Sequence, residues 1–133
     1  MEIEGRTFYL AGPLNHETEL GYKWRDNISE IIRTSKGNVK DPKVFEPGKE
    51  ENGDFNSVEL DKRYIRESDV VVVNFTDAYD NISIGTPMEF MYAYQLNKKI
   101  HVIGASFHNW VRVHADETHE NLNDFVKYIK GDK

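Results

Sequence analysis

A chain of 133 residues is long enough to bury a real core and short enough to read as one domain, residues 1–133. With no cysteine it carries neither a disulfide framework nor a thiolate metal site, which fits a reducing compartment. A formal net charge of −6 argues against a nucleic-acid surface, and an aromatic content of 12% argues against disorder. No apolar run is long enough to span a membrane, and Met1 to Arg6 is acidic, without the apolar core of a signal peptide. The expectation is a soluble cytoplasmic protein with neither nucleic-acid nor membrane partners.

The first apolar run, Thr7 to Ala11, stops at Gly12-Pro13 and predicts a strand. From Leu20, Trp24, Ile28, Ile31 and Ile32 recur at the spacing of one helical face, with Lys23, Arg25, Asp26 and Glu30 elsewhere. That helix ends near Ser35, and Gly37-Asn38 supplies the turn. Val39 to Phe45 reads as a second strand, confined by Pro42 to an edge or a bulge. Glu46 to Asn56 is polar, acidic and Gly-bearing, a surface loop or a lid.

A second helix is expected from Asn56 or Ser57 to Ser68, with Glu59–Arg63 and Arg63–Glu67 as internal ion pairs. Asp61 differs from these charges. Its neighbours three and four positions away are Ser57, Val58, Tyr64 and Ile65, so it has no cation there and shares the apolar face. It is either a solvated carboxylate at the edge of the stripe or a functional acid.

The chain is organised around Asp69 to Gly104. Val70 to Val73 is a β-branched run of the kind buried on both faces of a parallel sheet. After a polar loop, Thr86 suits an N-cap and Pro87 the first helical position, with Met88, Met91 and Tyr92 on the apolar helix that follows to Asn97. Lys99 to Ile103 gives another buried strand. This β-loop-α-β unit places its first loop at the carboxyl end of a strand, where open α/β sheets bind ligands. Glu89 has two readings: the partner of Thr86 in a capping box, or an ionised carboxylate aimed into a cleft, suited to attack a sugar carbon.

Ala105 to His119 reads as irregular or weakly helical, with a faint signal for a short strand near Asp116 to His119. Asn121 to Lys130 carries Leu122, Phe125, Val126 and Ile129 at helical spacing. Alternating strands and helices predict an α/β fold, a flavodoxin-like or Rossmann-like three-layer sandwich on a mainly parallel sheet of four or five strands. His16, His101, His108, His114 and His119 lack ligand spacing, and His101 sits in a buried-strand pattern as a structural histidine. Neither a metal nor a cofactor is expected.

Three separated segments, Phe8 to Pro13, Asp61 ahead of Asp69-Val70-Val71, and Ser83 to Glu89, together resemble the nucleoside 2-deoxyribosyltransferase family. The wider group includes 2'-deoxynucleoside 5'-monophosphate N-glycosidases. The resemblance implies that Glu89 is the nucleophile at C1', that Tyr9 holds it, and that Asp61 binds substrate and handles the proton of the departing base. Gly12, Pro13, Asn15, Asp80, Ser83, Gly85, Met88 and Asn109 are the implied substrate contacts. Partners would be a deoxynucleoside, a nucleobase and a second copy of the chain, with Asn109 and Trp110 near the neighbouring site.

The chain departs from the family pattern at Ser83, where many transferases have aspartate, at Pro87, and at Phe90-Met91. The loop Gly12 to Glu17 lacks an arginine, and Glu17 would repel a phosphate, which favours an unphosphorylated nucleoside. The alternatives are a monophosphate N-glycosidase, matching Ser83, and a non-catalytic nucleotide-binding module on the same sandwich.

Overall fold

A computed structural model of the protein describes residues 1–12, 19–41, 55–76 and 84–131. Five strands form one parallel sheet: β1 (Thr7–Ala11), β2 (Asn38–Lys40), β3 (Val70–Asn74), β4 (Lys99–Ile103) and β5 (Glu117–His119), in the order β2-β1-β3-β4-β5. Between and after them run α1 (Glu19–Thr34), α2 (Phe55–Glu67), α3 (Gly85–Gln95), α4 (Asn109–His114) and α5 (Leu122–Ile129). This is the flavodoxin-like strand order, a three-layer α/β sandwich whose order reverses between β1 and β3.

Alternation along each strand sorts the core into two layers. Phe8, Leu10, Val70, Val72 and Ile103 pack with Trp24, Ile28 and Ile32 of α1 and Phe125 and Ile129 of α5. Tyr9, Ala11, Val71, Val73, Ile100 and Val102 point the other way, to Ile65 of α2, Phe90 and Ala93 of α3, and Val111 of α4. The same alternation sends Tyr9 to the α2–α3 side and His101 to the α5 side. Asp69 and Asp116 tie neighbouring chain together by accepting backbone N–H groups, Thr7 at 2.8 Å and Ile100 at 2.7 Å. Gly104, at φ +80, turns the chain out of β4, and a side chain there would press on the backbone of Phe75 and Thr76.

Several expectations need correction. The helix after β3 begins at Gly85, and its cap position is Ile84, which makes no side-chain cap. Thr86 is buried inside the first turn, so the expected capping box with Glu89 is not the register adopted. Pro87 is tolerated there because the first four N–H groups of a helix have no internal partner. The buried stripe is Thr86, Phe90 and Ala93 rather than Met88, Met91 and Tyr92, and Met88 is 67% exposed. In α2, Glu59 approaches Lys62 rather than Arg63, while Arg63 does meet Glu67 at 2.8 Å. The weakly signalled last strand is present as β5, and the segment before it contains α4. The described part of β2 lies at a sheet edge; Pro42 to Phe45 and, of the expected loop Glu46 to Asn56, residues 46–54 lie outside the described residues, while Phe55 and Asn56 belong to α2 rather than to a loop.

Candidate active site

The site is built where the sheet order reverses. Tyr9, on β1, has no exposed surface, and its hydroxyl donates a hydrogen bond to Oε2 of Glu89 on α3, 80 residues further along the chain. Glu89 falls in the second turn of α3, the helix that follows β3 in the chain. The other carboxylate oxygen, Oε1, lies 3.7 Å from where a Cβ on Gly85 would stand. Gly85 and Glu89 thus stand side by side in the lining of a cavity.

That cavity, about 590 Å³, opens between α2 and α3 and is lined by Asp61, Lys62, Gly85, Met88 and Glu89 over an apolar floor that includes Ile65. Its size lies within the range that accepts a small organic ligand such as a nucleoside. Asp61 reaches it because α2 buries Ile65, one turn on, against the sheet, which carries the half-buried carboxyl to the cavity side. Its charge acts on both Tyr9 and Glu89. Tyr9, Asp61 and Glu89, far apart in sequence, thus meet at one place.

Electrostatics at Glu89 are a contest. Burial dominates and raises its pKa; the Tyr9 hydrogen bond lowers it, the Asp61 carboxylate raises it, and Arg25 lowers it, for a result of about 7. The Tyr9 hydroxyl is pushed well above its ordinary value, first by burial and then by the charges of Glu89 and Asp61, so it stays protonated and remains a donor.

Arg25 was not anticipated as a site-building residue. It is completely buried, with Nη1 donating to the Leu10 carbonyl at 2.9 Å and to Asp41 Oδ1 at 2.8 Å, and Nη2 donating to the Gly12 carbonyl at 2.7 Å. The available signal was its spacing: three before Ile28 and seven before Ile32, it lies on the buried face of α1. Gly12 has its own packing reason. A Cβ there would sit 2.6 Å from the Trp24 ring, so the close approach that glycine permits is to Trp24.

Met88 and Gly85 line the cavity, whereas Asn109 starts α4 on the exposed surface. A second cavity of about 360 Å³ adjoins the first, sharing Pro87 and Met91 and continuing to Phe90, Trp110 and Val111. Pro13, Asn15, Asp80 and Ser83 lie outside the described residues, as does His16.

No family model matches this chain, and no curated protein sequence matches it. Solved structures do. A 2-deoxyribosyltransferase from Bacillus psychrosaccharolyticus superposes with a TM-score of 0.70 at 22% identity, covering 90% of this chain and 89% of that one. A CMP N-glycosidase from Clostridium botulinum gives a TM-score of 0.67 at 15% identity over 94% and 98% of the two chains. A 2-deoxyribosyltransferase from Leishmania mexicana gives 0.66 at 15% identity over 94% and 97%. At these identities the likeness is one of fold, spanning nearly the whole chain.

The elevated pKa of Glu89 has a stability consequence with a definite sign. Between the ordinary glutamate value of 4.5 and about 7, the unfolded chain has released a proton that the folded chain keeps. Stability contributed by this group therefore falls as pH rises through that window. Glu89→Gln removes the effect: relative to the wild type it gains stability as pH rises from 4.5 to 7, and the gain levels off above. At pH 8 the gain is on the order of 1–2 kcal/mol, less than full sequestration would give at ~1.4 kcal/mol per pKa unit. Urea unfolding of both proteins across pH 4.5–8 measures it, and a pH-independent difference would show that Glu89 titrates normally.

Proposed function

We propose that the protein cleaves the N-glycosidic bond of a 2'-deoxynucleoside and passes the deoxyribosyl group to another nucleobase or to water. The observation that carries this reading is the Tyr9–Glu89 hydrogen bond at a cavity that Asp61 also lines. The Glu89 carboxylate attacks C1' as the bond from C1' to the base nitrogen breaks, forming a deoxyribosyl ester. The electron pair of the broken bond stays on the base, which takes a proton from the Asp61 carboxyl. A second base, or water activated by the Asp61 carboxylate, then attacks C1', releases Glu89 and yields net retention through two inversions. Tyr9 holds one carboxylate oxygen so that the other is presented to the sugar. The likeness in fold to two deoxyribosyltransferases and a CMP N-glycosidase supports the same chemistry.

Glu89→Ala is expected to abolish base release and exchange while the chain stays folded, a loss of several orders of magnitude in rate. The assay incubates deoxyinosine or thymidine with and without adenine and follows the bases by chromatography. A folded variant retaining roughly a tenth of wild-type rate would remove Glu89 from the chemistry. A wild-type protein that neither releases nor exchanges base across a panel of deoxynucleosides and deoxynucleotides would favour a binding module.

For the 5' end we keep the unphosphorylated nucleoside as the preferred substrate. One observation favours the second reading: Lys62 lines the cavity beside Asp61, a cation within reach of a phosphate. The expected result is a higher kcat/KM for thymidine than for its 5'-monophosphate, little changed in Lys62→Ala. A preference of about tenfold for the monophosphate, ~1.4 kcal/mol in transition-state binding, lost in Lys62→Ala, would establish the monophosphate reading instead.

The working unit is proposed to be a dimer or larger. Met88, Phe107, Trp110 and Val113 are each more than 60% exposed, and Trp110 lines the second cavity. An apolar surface of this kind next to a site suits a second copy of the chain. Light scattering at assay concentration is expected to give at least twice the monomer mass of 15.5 kDa; an active monomer would refute it.

A further inference from the structure

We infer that His101, Glu117 and His119 form a binding site for a divalent transition-metal ion of the zinc type, clipping the last two strands together. The strand register creates it. His101 lies opposite Glu117 and Ile103 opposite His119, so all three side chains project from the same face at the sheet edge. His101 Nδ1 is 3.1 Å from His119 Nε2 and 3.8 Å from Glu117 Oε2, and the three candidate ligand atoms lie within 4.8 Å of one another. A tetrahedral zinc with bonds of ~2.0–2.2 Å sets its ligand atoms ~3.3–3.5 Å apart. Glu117, whose side chain is 40% exposed, has to move by about an ångström to bring the three to that spacing, which a side-chain rotation at the sheet edge supplies.

The site is built rather than superficial. His101 is fully buried and His119 is 9% exposed, while Glu117 at the edge leaves a way in. Phe125 and Tyr128 of α5 pack on both imidazoles, fixing their rings. His101 Nε2 is buried with no partner among the described residues, so the bonding of this ring is directed through Nδ1.

Proton accounting also favours a cation. One proton shared between the two histidine nitrogens leaves Glu117 Oε2 beyond hydrogen-bond range of His101, whereas a central ion takes a lone pair from each of the three atoms. Two imidazoles and one carboxylate suit zinc, cobalt or nickel, not calcium or magnesium, which require more oxygen ligands. The cluster is on the α5 side of the sheet and Glu89 on the α2–α3 side, so the ion would serve the structure of the edge strand and take no part in the glycosidic reaction.

The test uses the untagged full chain after dialysis against EDTA, titrated with ZnCl₂ by calorimetry and followed by thermal melting in a non-chelating buffer. The expected result is one equivalent bound with a saturating rise in Tm, and an affinity at least about tenfold weaker in Glu117→Gln and His119→Gln. His114→Gln, on α4 and packed against Phe90, Tyr94 and Trp110 away from the cluster, should bind like the wild type. Glu117→Gln keeps the assay informative if the more buried His119 variant does not fold. Substoichiometric binding, no change in Tm, or equal zinc affinity in wild type and Glu117→Gln would each overturn the inference.

Discussion

The carboxyl end of β1 depends on a guanidinium that water does not reach. Arg25 ties the Leu10 and Gly12 carbonyls to the Asp41 carboxylate, and thereby α1 to the end of β1 and to the residue after β2. Carbonyls at a strand end that faces a ligand cannot all be satisfied by the sheet ladder, and a planar donor with several N–H groups satisfies two of them at once. Burying such a pair is not a cheap source of stability, but breaking it costs about 3–5 kcal/mol because the remaining charge is stranded. Its contribution is therefore better understood as fixing where β1 ends, and so where the Tyr9 hydroxyl stands.

From that fixed point the site is assembled by opposed forces. Burial works against an ionised Glu89, and Asp61 works in the same direction; the Tyr9 hydroxyl and the more distant charge of Arg25 oppose them. A carboxyl poised near neutrality by such a balance is costly for folding, and under the proposed reaction its poor solvation would favour attack on the sugar. The local preference of the sequence for a capping box gives way here: a carboxylate near a helix start can turn back to its own cap or outward to a partner, and Glu89 turns to the buried Tyr9 hydroxyl.

The two faces of the sheet are put to different uses. Residues of even and odd number along β1, β3 and β4 feed separate cores, so the histidines at the β4–β5 edge and the Tyr9–Glu89 pair are insulated by a layer of valine and isoleucine. The exception is Arg25 of α1, whose charge still acts across the sheet on Tyr9 and Glu89.

The sequence by itself determined the strands whose neighbours bury them on both sides. The bounds of Thr7–Ala11 and Lys99–Ile103, and the valine run of β3, are legible because a parallel interior strand must be apolar throughout, whatever its partners. It also indicated α1, α2 and α5, whose stripes recur over two turns or more, and singled out Tyr9, Asp61 and Glu89 as residues of interest through resemblance and spacing. Only the tertiary structure decided what those residues meet. The three-residue β5 and six-residue α4 are too short to carry a period, and the start of α3 was misplaced by local rules because Thr86 is drawn into the core. Arg25 looked like one more surface charge until its carbonyl partners were in place. The histidines lacked ligand spacing because sequence spacing counts positions within one strand, whereas His101 meets Glu117 and His119 across two. Pairing, register and burial are non-local quantities, and they alone convert a residue type into a partner.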